Sequence, residues 1–372
     1  MQSIVRSNPG EGTIRESESV ERPLTPTLSP QERGEGADRN PVMTRIQLTA
    51  RAATFTVPMI LSVPPISPSI PLPMFPIATL WIPFTITAAL GQVARNAMQR
   101  QLTGPLGTWG ATNIRFLFGF PFSVVFFVIV LAATGDAVPW PTAAFWPWLL
   151  LGALSQILAT GLMLLAMNDR SFVVTTAYLK TEAVQTAIFG FVLLGDHLTV
   201  LKVIAILIGT VGVVITALRP GGEKSFAELK PTIIGLVAAT AFALSANGFR
   251  GAIITVSGVS FVTAASYTLV FGLFVQTLVL TIYLLARAPD VLAKILGLWK
   301  PSMLAGFMGA FASQFWFLAF ALTAAANVRT LALVEVLFAQ GIAHYSFKQP
   351  LSGRELSGIA LIVIGVALLV AV

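Results

Sequence analysis

The chain has 372 residues, 55% of them hydrophobic and only 10% charged, with a mean hydropathy of +0.82. A soluble domain carries roughly 25% charged residues, so the composition excludes one and predicts an all-α integral membrane protein. The net charge of +7 does not describe a nucleic-acid surface, because the basic residues stand singly at the ends of apolar runs, as topology signals and headgroup anchors do.

The first 73 residues differ from the rest. Arg22 to Arg39 (RPLTPTLSPQERGEGADR) is rich in Pro, Gly, Ser and charge, a composition that cannot bury a core. Pro at positions 58, 64, 65, 68, 71, 73 and 76 forbids a stable helix across that stretch. Residues 1–73 are therefore expected to be a disordered tail. The PLTPTLSPQERGEG string resembles translated intergenic repeat DNA of bacteria, and Met74 is the expected start of the working protein.

About 20 apolar residues span a bilayer as a helix. Ten such segments are predicted, at 76–98, 109–133, 142–166, 172–194, 198–218, 232–250, 258–286, 302–323, 327–347 and 354–371. Gly135-Asp136 ends the second, Pro141 opens the third, and Gly195-Asp196 breaks the fourth from the fifth. The polar stretch 219–231 divides the body into residues 76–218 and 232–372, five segments each. Gly306 and Ala310, four apart, suit close helix packing.

The two halves read as copies at a constant offset of 153. Ala111 matches Ala264, Phe118-Gly119 matches Phe271-Gly272, Glu182 matches Glu335, and Gly212-Val213 matches Gly365-Val366. An odd number of crossings per copy turns the second copy upside down in the bilayer. Inverted repeats enclosing a midplane site are the architecture of secondary transporters.

Three ionisable residues stand deep in apolar segments: Lys180, Glu182 and Glu335. A charge at the bilayer centre costs on the order of 3 kcal/mol, so it faces a cavity or a partner. Lys180 and Glu182 are two apart and point to different sides of a helix. Each needs another partner, which Arg115, Glu335 or a substrate would supply. Both carboxylates are candidate substrate contacts, and a structural ion pair between the halves is the alternative. Arg115, one turn into the second segment, reads either as a substrate contact or as a snorkelling anchor. Gln156 and Gln314 fall mid-segment and read equally as substrate contacts or interhelical hydrogen bonds. Asn96 and Asn247 lie near segment ends and read as caps. Tyr178 and Trp316 are candidate cavity-lining aromatics. His344 shares a face with Gln340 and is the remaining candidate contact.

No Cys is present and there are only two His, so no metal site and no cofactor are expected. No nucleotide-binding loop and no Ser/His/Asp constellation is legible, so an enzyme is not expected. The partners anticipated are a small-molecule substrate and membrane lipid, with a proton on Glu182 or Glu335 as the coupling ion if one is used. A non-transporting scaffold or lipid-handling protein is the alternative class.

The run Tyr178 to Val214, with its polar break Gly195-Asp196-His197-Leu198-Thr199, and the run Leu333 to Val370 resemble the repeat ends of the drug/metabolite transporter superfamily, EamA type. Arg115 resembles an Arg often found at that place. Asp196 and Gln349 depart from the Glu usual at the break, and a Pro common in the fourth segment is absent. The resemblance implies ten helices in two inverted five-helix repeats, a central cavity, and export or exchange of small metabolites across the bacterial inner membrane. It also implies cytoplasmic termini. Loop charges imply the opposite. Eleven basic residues, among them Arg95, follow odd-numbered segments, and only Lys202, Arg250 and Arg329 follow even-numbered ones. The family orientation is the one expected here.

Overall fold

A computed structural model describes residues 76–167, 179–217, 229–338 and 352–371. The predicted tail 1–73, Tyr178, Gln340, His344 and most of the linker 219–231 lie outside the described residues. The described residues are helical and contain no strand. Their helices are α1 Trp81–Leu117, α2 Gly119–Thr134, α3 Phe145–Met167, α4 Glu182–Leu194, α5 Val200–Ala217, α6 Leu229–Thr255, α7 Phe261–Arg287, α8 Pro289–Gly297, α9 Trp299–Leu322, α10 Ala325–Leu331 and α11 Gly353–Val370.

Among the described residues, six helical spans, at Ile77–Thr134, Phe145–Leu165, Ile233–Thr255, Phe261–Arg287, Trp299–Leu322 and Gly353–Val370, are long and apolar enough to cross a membrane. The apolar helices Glu182–Leu194 and Val200–Thr216 are shorter. The exposure pattern is that of a lipid-facing protein. Val125, Val128 and Ile129 of α2, Phe191 and Val192 of α4, and Val363 and Ile364 of α11 are exposed, while Gln99, Asn113, Arg115, Ser245 and Asn247 are buried. Apolar side chains meet hydrocarbon, and polar ones are turned inside.

Three expected boundaries are corrected. The polar stretch between residues 98 and 109, expected as a loop, is helical. α1 continues through it and bends where Gly107 takes φ 67°, a conformation open to Gly. Gln99 holds the bend by donating to the Ala111 carbonyl at 3.0 Å. α6 begins at Leu229, so Lys230 and Pro231 are helix rather than linker. Pro is tolerated there because a first-turn N–H needs no intrahelical acceptor. A short helix, α8, also fills the connection read as loop, with Pro289 in its first turn and Lys294 paired with Asp290 at 3.3 Å.

The helix pairs are set by small residues. α3 packs along α6, α1 along α9, and α5 along α11. In the first pair a Cβ on Gly248 would lie 2.5 Å from Gly152 N. In the third, a Cβ on Gly212 would lie 2.7 Å from Gly358 O and 2.8 Å from Ile362 N, and one on Gly365 would lie 2.8 Å from Ala205 O and 2.6 Å from Gly209 N. As expected, Gly306 and Ala310 form a close contact, here with the Phe118-Gly119 turn between α1 and α2.

Candidate functional site

Glu182 and Glu335 both sit where a helix is interrupted. Lys180 and Thr181 form a turn from which α4 starts at Glu182, and a carboxylate in a first turn is favoured by the helix dipole. Glu335 follows a single 3-10 turn, Ala332–Val334, that ends α10. Each carboxylate meets a cation from the other half of the chain. Lys180 is ion-paired with Glu335, and Arg329 Nε lies 2.9 Å from Glu182 Oε1. Gln92 of α1 donates to Glu335 Oε2 at 3.2 Å.

These groups line a cavity in two adjoining lobes, of about 90 Å³ and about 20 Å³. Gln92, Lys180, Glu182, Arg329 and Glu335 border both lobes, and Arg95, Asn96, Met163, Leu179 and Phe242 complete the larger one. One water needs roughly 10–15 Å³ on this measure, so several waters or a compact polar group fit.

The structure thus brings together three of the residues singled out in the sequence, Lys180, Glu182 and Glu335. It places others elsewhere. Gln156 accepts from Gln276 of α7 at 2.8 Å, and Gln314 donates to Ser266 of α7 at 2.7 Å. Both are buried interhelical hydrogen bonds away from the cavity. Trp316 is buried and carries the Arg329 guanidinium on its face at 4.7 Å. Arg115 is not a snorkelling anchor. It is 2% exposed and donates to Thr160 at 3.1 Å and Ser313 at 3.5 Å. Neither Asn is a cap. Asn247 bridges α6 to α4 by donating to the Thr186 carbonyl at 3.1 Å, and Asn96 accepts from the Arg95 Nε and Nη2 groups.

Gln92, Arg95 and Arg329 are the site residues missed in the sequence. Arg95 and Arg329 were counted as loop charges, yet both lie inside helices and are buried. Arg250 leaves the loop tally as well, because it is partly buried in α6 and paired with Asp196 at 3.1 Å. An uninterrupted run from Phe84 to Thr103 with no Pro and no Gly other than Gly91 was the signal that Arg95 stays in the helix.

Arg95 and Arg115 share one packing surface. A Cβ on Gly309 of α9 would lie 3.0 Å from Arg115 Cγ and 3.6 Å from Arg95 Cδ. Among the described residues, neither guanidinium has a carboxylate within ion-pair distance, and Arg95 Nη1 and Arg115 Nε have no hydrogen-bond partner.

No curated protein matches this chain. Solved structures do match, and one of them, titled only "Crystal structure of protein", is 16% identical, with a TM-score of 0.56 over 78% of this chain and 94% of that one. That likeness speaks to the fold alone. The sequence match is more specific and bears out the resemblance to EamA-type drug/metabolite transporters: residues 79–218 of this multi-pass membrane protein match the model of the EamA-like transporter family.

Proposed function

We propose that the protein is a secondary transporter of small metabolites, an exporter or exchanger of the bacterial inner membrane, built from two inverted five-helix repeats that expose one central site alternately to either side. The carrying observation is the cavity itself. It is a charged space inside a lipid-facing helix bundle, walled by Gln92, Arg95, Lys180 and Glu182 from one half and Arg329 and Glu335 from the other. Ionisable groups at such depth mark solute or ion pathways, and interrupted helices like those at Glu182 and Glu335 recur at transporter sites.

The packing supports the repeat. An exchange of positions by 153 turns α5, Val200–Ala217, into α11, Gly353–Val370, end for end. The same exchange turns the Gly212 contacts with Gly358 and Ile362 into the Gly365 contacts with Ala205 and Gly209. The order of these contacts along the two helices makes the pair antiparallel. The pairing of α3 with α6 likewise maps onto that of α9 with α1.

Solute flux in proteoliposomes tests the proposal. Saturable uptake or counterflow of a small metabolite, abolished by closing the cavity with Ala183→Trp, is the expected result. A purified, folded protein that moves no member of a broad metabolite panel with or without a pH gradient would sink it.

A further inference from the structure

We infer that the solute carries an oxyanion, a carboxylate or a phosphate, and that Arg95 holds it. This rests on the transport reading above and names its substrate class.

The cavity wall and the packing behind it hold four cations, Arg95, Lys180 and Arg329 on the wall and Arg115 behind Arg95, against two anions, Glu182 and Glu335. Two of the cations are answered within the protein, Lys180 by Glu335 and Arg329 by Glu182. That leaves Arg95 and Arg115 as buried positive charges without a counter-charge among the described residues. An unpaired buried charge is strongly unfavourable, so a site that keeps two is a site completed by an anion.

The geometry assigns the contact. Arg115 is spent on hydroxyls, since Thr160 and Ser313 both accept from it, and it does not border the cavity. Arg95 does, and it is 1% exposed. Asn96 Oδ1 takes its Nε at 3.2 Å and its Nη2 at 2.8 Å, fixing one edge of the guanidinium. Nη1 is buried and has no partner among the described residues. The end-on edge formed by Nη1 and the second Nη2 hydrogen meets no protein acceptor among the described residues, and that edge matches the two oxygens of a carboxylate or phosphate. Gly309 makes room for the Arg115 stem beside that of Arg95, since a Cβ there would press on Arg115 Cγ at 3.0 Å and touch Arg95 Cδ at 3.6 Å. Gln92 supplies an amide on the same wall, although its Nε2 is already given to Glu335.

The test uses the purified full chain, first in detergent and then in proteoliposomes. Melting midpoints are read with lactate, glycerol phosphate, lactamide and ethanolamine, which offer a carboxylate, a phosphate, a neutral amide and an amine on small frames. The expected result is a rise with lactate or glycerol phosphate and none with lactamide or ethanolamine. The larger of the two rises tells carboxylate from phosphate. Arg95→Gln should weaken the apparent affinity for the favoured anion at least about tenfold, the scale of one charge-assisted bidentate pair. Arg95→Lys, which keeps the charge and loses the fork, should recover part of it. The wild-type series stands without any variant, so a misfolded Arg95→Gln does not shield the inference. Equal response to lactamide, response to ethanolamine alone, no response to any of the four, or an unchanged anion response in a folded Arg95→Gln each overturns it. Flux separates the two proposals. Movement of ethanolamine or lactamide without anion preference keeps the transporter and removes the anion site. Anion binding with no flux of any solute keeps the anion site and removes the transporter.

Discussion

The contact between α5 and α11 makes a quantitative prediction. A methyl on Gly365 would stand 2.6 Å from Gly209 N and 2.8 Å from Ala205 O. Ordinary contact begins at roughly 3.5 Å, so the two backbones must part by about 0.9 Å. A side chain could rotate away, but a helix backbone cannot. Both helices have 18 residues, about 27 Å of length at 1.5 Å per residue, and a gap of that size forfeits a quarter to a half of each dispersion contact it opens. Overpacking of this kind costs about 1–3 kcal/mol, or a fall in melting midpoint on the order of 2–10 °C. Gly212→Ala meets Gly358 O at 2.7 Å and should cost as much. Once either methyl has separated the helices the other finds room, so the double variant should cost clearly less than the sum. Gly353→Ala, on α11 with nothing within 4 Å, should leave the midpoint within about 1 °C. The assay is melting of purified protein followed by tryptophan fluorescence. If Gly365→Ala melts with the wild type, or if the two penalties add in full, the close backbone approach is not what holds this pair together.

Glu182→Gln and Glu335→Gln should insert and yield normally yet lose most transport, read as initial flux against protein in the vesicles; normal flux in both would make the carboxylates structural. Lys180→Gln leaves Glu335 without its cation, and removing one partner of a buried pair costs about 3–5 kcal/mol. Adding Glu335→Gln should therefore recover part of the lost melting temperature, and a further fall would show that the pair is not the cause. Asp136, in the loop after α2, accepts from Ser260 N at 2.9 Å and Thr263 Oγ1 at 2.6 Å. Its hydrogen bonds, those of Ser260 first, lower its pKa from 3.8 to about 2. A depressed carboxylate stabilises the fold above its unfolded pKa and ceases to as pH falls through the folded one. Melting midpoints should thus hold down to about pH 4 and drop between about pH 4 and 2, and Asp136→Asn should flatten that step. A drop of equal size in Asp136→Asn would assign it to another group. A C-terminal reporter should be active in the cytoplasm, as in the family orientation, and activity confined to the periplasm would reverse the topology.

Lys180, Glu182 and Glu335 were legible because a charge inside an apolar run has few explanations. Arg95 and Arg329 were not, because each sat near a misplaced boundary, the end at 98 too early and the start at 327 two residues after α10 begins. The cut at 98 followed the polar residues Asn96, Gln99, Arg100 and Gln101, yet all four lie within α1, and buried Gln99 reaches the Ala111 carbonyl. Gln156, Gln314 and Asn247 were legible as polar groups that need a partner. Which partner each finds, whether Gln276, Ser266 or the Thr186 carbonyl, follows from which helices lie side by side, and a single sequence does not carry that. α8 had a local signature, Pro289 at its start and Asp290 four residues before Lys294, but nine residues fall short of the length sought for a crossing.

In the proposed repeat the α5–α11 contact is isologous, the kind that two copies of one protein make about a two-fold axis, except that both copies would be in one chain. Gly212 and Gly365 are each other's counterparts, as are Ala205 and Gly358, and Gly209 and Ile362. In a homodimer a single substitution appears on both sides at once. Here the two sides are free to diverge, and two of these pairs differ, Ala205 against Gly358 and Gly209 against Ile362. A chain of this kind can therefore adjust one side of its seam without altering the other.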